Sequence, residues 1–122
     1  MSTTKSVPPR SALKPVDTWD LTALFKDDAA WERGYRKLET MIPAFEQFRG
    51  KLGTGPAVIR ACCDFETKFN RLGERLGVYA FLKSSENVAE SAYQGMVARF
   101  TYLATQAAEQ ASFIEPEIRA VP

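Results

Sequence analysis

The 122-residue chain contains no histidine. Histidine is the side chain most often used as a general base near neutral pH and the commonest imidazole ligand for metals. Its absence excludes catalytic or zinc sites built on imidazole from this stretch of sequence. An excess of charge of one sign is also missing. The chain has 16 basic and 15 acidic residues, a formal net charge of +1. That balance offers no electrostatic footprint for nucleic acid or an anionic membrane, so neither partner is expected. No apolar run approaches the ~18 residues that span a bilayer. Residues 1–15 hold no apolar signal-peptide core, and a cytoplasmic location is expected. Cysteine is scarce: Cys62 and Cys63 are the only two. Adjacent side chains on a regular backbone point apart, so both thiols are expected to be reduced. No window alternates apolar and polar residues with period two, and no tandem repeat is evident.

What is present is helical periodicity in a chain that is 45% hydrophobic and 25% charged, ordinary values for a globular domain. Residues 1–16 are rich in Ser, Thr and Pro and read as a flexible N-terminal arm. Residues 17–27 read as a turn that brings Trp19, Leu21, Leu24 and Phe25 to the core. Asp27 or Asp28 should cap the first long helix. Its apolar stripe is Trp31, Tyr35, Leu38, Ile42 and Phe45, interrupted at Pro43, where a kink or break is expected. Gly50 is a plausible end cap.

The second helix should begin near Thr54-Gly55-Pro56 and run to about Lys83, with the stripe Ile59, Cys62, Phe65, Phe69, Leu72, Leu76 and Tyr79. A polar link over 84–87 follows. Ser91 and Gln94 form a capping-box pattern for the third helix, whose stripe is Met96 or Val97, Phe100, Leu103, Ala107, Ala111 and Ile114. Pro116 should stop it or sit just past its end. The predicted fold is all-α: three long helices with short links, helices two and three forming an antiparallel hairpin.

Each residue group that suggests chemistry also has a plainer reading. Cys62 and Cys63 lack the further soft ligands of a metal or redox site, and read as one buried thiol with a neighbour beside it. Glu115 and Glu117 flank Pro116 without a nucleophile or cofactor motif nearby, so a solvated or capping role fits better than acid–base work. Gly50, Gly53 and Gly55 do not make a phosphate loop, because Gly50-Lys51 is followed by Leu52. Trp31, Tyr35, Phe65, Phe69, Tyr79 and Phe100 fall on helical stripes without interleaved basic residues and read as core. Arg71 and Arg75, one turn apart, are candidates to contact a peptide carboxylate, against the plainer reading of a solvated face beside Glu74.

Four segments together resemble the N-terminal region of the oligoendopeptidase F family of thimet-like zinc metallopeptidases. They are Trp19-Asp20-Leu21-Thr22 with Leu24-Phe25 and Ala30-Trp31-Glu32; Gly50-Lys51-Leu52; Arg75-Leu76-Gly77-Val78-Tyr79-Ala80 with Tyr93-Gln94; and Ser112-Phe113-Ile114-Glu115-Pro116-Glu117-Ile118. They cover residues 19–118 in order. The resemblance implies a parent protein that hydrolyses short peptides. It further implies zinc held by a distant His-Glu-x-x-His helix, in which two histidines one turn apart bind the metal and the glutamate activates water. No catalytic, metal-binding or cofactor-binding residue is carried over to this chain. The role implied for residues 17–118 is a non-catalytic helical domain that helps to wall off the substrate channel. The alternative is a stand-alone helical interaction or dimerisation module.

The expected partners are the remainder of the peptidase chain and the parent's peptide substrates. Residues 119–122 read as the truncated start of a next segment. If the domain is cut from a larger protein, self-association is expected through a candidate interface of Trp19, Leu21, Phe25, Phe81 and Leu82.

Overall fold

The computed structural model describes residues 20–86 and 89–122. They are all-α, with no strand among the described residues. Helix α1 spans Asp28–Met41, α2 Pro56–Glu86, α3 Ser91–Gln110 and α4 Ile114–Arg119. Two 3-10 segments, Pro43–Phe48 and Leu52–Thr54, join α1 to α2. Helix α2 has 31 residues, a length of about 46 Å at the α-helical rise. It is the axis of the domain, packing most extensively on α3, its hairpin partner, and next on α1.

Local chemistry sets the start and stop of α1. Asp27 is its N-cap, accepting a hydrogen bond from the Ala30 N–H at 2.8 Å. Pro43 ends it: Ile42 is the C-cap, and the chain continues as a 3-10 helix with Pro43 in the first turn, where a missing N–H costs nothing. The break lets the apolar stripe continue in a new direction, so Trp31, Tyr35, Leu38, Ile42 and Phe45 are all buried. Just upstream, Asp20 accepts from the Thr22 N–H at 3.0 Å and from its hydroxyl at 2.5 Å, closing a tight turn. Those bonds lower the Asp20 pKa below the ordinary carboxylate value. The turn delivers Leu21 and Phe25 to the core.

Elsewhere the structure departs from the sequence pattern. The second helix extends past Lys83 to Glu86, absorbing much of the expected polar link. The Ser91–Gln94 capping box is not formed: Glu90 is the N-cap of α3, without a side-chain cap, and Ser91 is already helical. Pro116 stops nothing. Helix α3 ends at Gln110, and Pro116 sits in the first turn of α4, where proline is tolerated because that N–H has no intrahelical partner. Helix α4 runs through Arg119, across the boundary expected at 118. On α2, Cys62, Phe69, Leu76 and Tyr79 are buried, whereas Ile59, Phe65 and Leu72 are only partly so.

Helices α2 and α3 approach closely at Gly77. A β-carbon there would lie 2.7 Å from the Phe100 ring, so a larger residue requires the ring or the helix to shift.

Candidate functional site

Two clusters fasten α1 to the hairpin. In the first, Arg99 of α3 grips the Glu32 carboxylate of α1 with two N–H donors at 2.6 and 2.8 Å. Its guanidinium also lies over the Trp31 and Tyr35 rings, 5.4 and 4.4 Å from their centroids, and those rings stack on each other. The Arg99 hydrogen bond lowers the Glu32 pKa, and the same bond raises that of Arg99. The Trp31 indole N–H donates to the Leu76 carbonyl at 2.9 Å. In the second cluster, the Asp28 carboxylate accepts from the Tyr79 hydroxyl at 2.6 Å and the Tyr93 hydroxyl at 3.1 Å. Lys83 lies over both tyrosine rings. Burial, and then the bond to Asp28, push the Tyr79 phenol far above its ordinary value, so it remains a hydrogen-bond donor. Both clusters hold helices together, and every group in them is occupied with another side chain or ring.

At the opposite end of the domain, Phe45 packs edge-on against Phe65 and Phe69, with centroids 4.9 and 5.2 Å away. Glu117 of α4 reaches back to accept from the backbone N–H groups of Gly50 and Leu52, at 2.9 and 3.3 Å. Glu117 therefore caps a loop 65 residues away in sequence. Glu115 pairs with Arg119 on the surface. Gly50 has φ of 77°, the left-handed conformation expected of a glycine that ends a helical segment.

Two of the open grooves among the described residues lie away from the two fastening clusters. One, of about 380 Å³, runs between α2 and α3 over Phe69 and Phe100, with Gly73, Ala104 and Ala108 in its walls and Glu66 and Glu74 at its rim. The other, of about 300 Å³, lies between α1 and α2 and includes Arg71 and Arg75. Arg75 is anchored there by a hydrogen bond to the Leu24 carbonyl and by the Phe25 ring beneath its guanidinium.

The described members of the candidate interface differ in exposure. Leu21 and Phe25 are each only 8% exposed and belong to the core. The turn made by Asp20 and Thr22 folds them inward, in line with the core-directed turn read over residues 17–27 and against their assignment to an interface. Leu82 is half-buried against the core, and Phe81 is 62% exposed. Tyr102, at 63%, is equally open and was not anticipated, because it lies off the α3 stripe. Trp19 and the arm over 1–16 lie outside the described residues.

These residues do not fit a zinc centre. The sequence has no imidazole, Cys62 is buried while Cys63 faces solvent, and no three His, Cys, Asp or Glu side chains converge among the described residues. Burial raises the Cys62 thiol pKa, the reverse of what a thiolate ligand needs. Among the described residues, no helix is long and apolar enough to cross a membrane.

The fold and its surfaces thus define a helical domain with open grooves between its helices and no assembled metal-binding cluster among the described residues. Its sequence is oligoendopeptidase F-like over almost its whole length. It is 33% identical to oligopeptidase PepF of Bacillus subtilis (strain 168) over 94% of this chain, which is 17% of that protein. It is 30% identical to group B oligopeptidase PepB of Streptococcus agalactiae serotype III (strain NEM316) over 89% of this chain and 18% of that protein. Chromosomal oligoendopeptidase F of Lactococcus lactis subsp. cremoris matches at 28% over 88% of this chain and 18% of its own length. The chain therefore spans less than a fifth of the relatives it matches. No family model matches it, and no solved structure matches it.

Proposed function

We propose that this chain is the non-catalytic N-terminal helical domain of a cytoplasmic, oligopeptide-cleaving zinc metalloendopeptidase, where it helps to wall off the substrate channel. The observation that carries this reading is the asymmetry of the similarity: 94% of this chain aligns, but with only 17% of the oligopeptidase from Bacillus subtilis. A domain of this size without histidine does not supply imidazole ligands, so zinc and its chemistry would belong to the rest of the parent. The fold suits a wall: a 31-residue helix stiffened on two sides presents a rigid face to a neighbouring core.

The test is a chimera. The matching segment of the Bacillus subtilis oligopeptidase is replaced by this chain, and cleavage of short peptides is compared with cleavage of a long, denatured substrate. Cleavage restricted to short peptides is expected. A chimera that folds, binds zinc and digests the long substrate as readily as the short ones would overturn the channel role.

A second reading, a stand-alone interaction or dimerisation module, is favoured by Phe81 and Tyr102, which stand more than 60% exposed on α2 and α3. The genomic reading frame separates the two. Several hundred further residues containing His-Glu-x-x-His support the peptidase domain, and a stop codon near Pro122 supports the module.

A further inference from the structure

The groove between α1 and α2 is lined by Lys37, Met41, Lys68, Arg71, Leu72 and Arg75. Four of the six are cations and none is an anion, in a chain whose net charge is only +1. The cations come from both walls. Lys37 stands on α1, and Lys68, Arg71 and Arg75 follow one another at successive turns of α2, a spacing that puts them on one face. Asp64 and Glu74 stand about one turn from Lys68 and Arg71, yet Lys37, Lys68 and Arg71 make no ion pair among the described residues. Arg75 is already fixed in place by Leu24 and Phe25. Between the cations lie Met41 and Leu72, both only partly buried. Leu72 belongs to the apolar stripe of α2, and its incomplete burial is explained by this groove, which leaves it open beside Met41.

We propose that this groove binds an acidic polypeptide segment, one that places carboxylates on either side of an apolar side chain. Charge complementarity selects the sign of the ligand, because positive charges brought close together without counter-charges are relieved by an anionic partner. The apolar floor selects the class. A phosphate polymer would satisfy the rim and leave Met41 and Leu72 without a partner. A peptide such as Glu-Glu-Leu-Glu-Glu meets the rim with its carboxylates and the floor with its leucine. The guanidinium groups of Arg71 and Arg75 present the planar, forked donors that match a carboxylate. This inference is independent of the peptidase reading, since it requires only the groove.

The experiment is fluorescence anisotropy of a fluorescein-labelled peptide with a Glu-Glu-Leu-Glu-Glu core, titrated with the 122-residue chain. Saturable binding is expected, weakened about tenfold or more by the double variant Lys68→Gln/Arg71→Gln and weakened in parallel by raising the salt concentration. The charge-matched control Lys26→Gln/Arg119→Gln, outside the groove, should bind like the parent chain. Circular dichroism confirms that the helices persist in both variants. Three results would each overturn the proposal: no saturation up to ~1 mM protein, equal binding of a peptide with serine in place of the leucine, or equally tight binding of inorganic polyphosphate that the double variant also abolishes. The last result would mark a general polyanion site.

Discussion

The two ends of the domain are held by different physics. Near the link between α2 and α3, the helices are fastened by directional contacts: Tyr79 and Tyr93 on Asp28, and Arg99 on Glu32. At the other end the packing is mostly apolar, with Phe45, Phe65 and Phe69 interlocked and Leu52 fully buried. The difference follows from how the chain reaches each end. Near the link, α1 meets the pair at its own N-terminus, where Asp28 lies in the first turn and carboxylates are favoured. At the far end, Pro43 has broken α1, and the short 3-10 segments have little regular backbone bonding of their own, so side-chain burial must order them. The apolar end should therefore be sensitive to lost volume, and the polar end to lost hydrogen bonds.

The largest effect is expected at the apolar end. Phe45→Ala removes a ring that is 1% exposed and touches two others, and should destabilise by about 3–5 kcal/mol. Urea melts would show it as a lower midpoint. A loss below about 1 kcal/mol would mean that this end collapses to fill the space, and the contrast between the ends would fail. At the polar end, Tyr79→Phe keeps the ring and its edge contact with Phe25 but deletes the hydroxyl on Asp28. A loss of about 1–2 kcal/mol is expected, because the bond is charge-assisted but only part-buried. If Asp28→Asn/Tyr79→Phe costs as much as the two single changes added together, the pair is not coupled, and the fastening lies elsewhere.

A sharper comparison needs only α2. Gly73 and Gly77 are one turn apart on the same helix. A β-carbon at Gly73 meets nothing within 4 Å, whereas one at Gly77 meets the Phe100 ring at 2.7 Å. Gly73→Ala should stabilise by roughly 0.5–1 kcal/mol through helix propensity alone. Gly77→Ala should destabilise by about 1 kcal/mol, because forcing the α2–α3 crossing apart outweighs the same propensity gain. Thermal melts of the two variants should move in opposite directions. Movement in the same direction would show that Phe100 swings aside freely.

Much of this architecture was legible in the sequence. The stripe from Trp31 to Phe45 is a short-range pattern that burial follows closely, and the stripe from Ile59 to Tyr79 is buried at Cys62, Phe69, Leu76 and Tyr79 and partly buried at the rest. Asp27 and Pro43 act on their own neighbours, so their effects could be anticipated. What was not legible depends on partners far apart in sequence. The Glu117 carboxylate is 67 residues from Gly50, and Arg99 is 67 from Glu32. No local period encodes either pairing. Leu72 has the right spacing for the core, but its burial depends on what α1 places opposite it, and Met41 leaves the groove open. The cationic groove was foreshadowed only by Arg71 and Arg75: Lys68 shares their face of α2, but Lys37 joins them through tertiary packing alone.

The smallest effect tests whether the polar end depends on charge at all. The Glu32 carboxylate is held below its ordinary pKa of 4.5, chiefly by the hydrogen bonds from Arg99, with burial working the other way. Its folded pKa is thus lower than its unfolded one. The stabilisation is present above the unfolded value and is lost as pH falls through the folded value. The two side chains are 43% and 40% exposed, so solvent screens the pair, and its contribution is about 0.5 kcal/mol or less. Urea melts of the parent chain and Glu32→Gln at pH 7 should differ by that small amount, and the difference should close in acid, where the parent's Glu32 is itself protonated. High salt at pH 7 should shrink the difference too. A difference that is the same at both pH values would assign the contact to packing of Arg99 over Trp31 and Tyr35, and the polar end would then owe its strength to aromatic faces as much as the apolar end does.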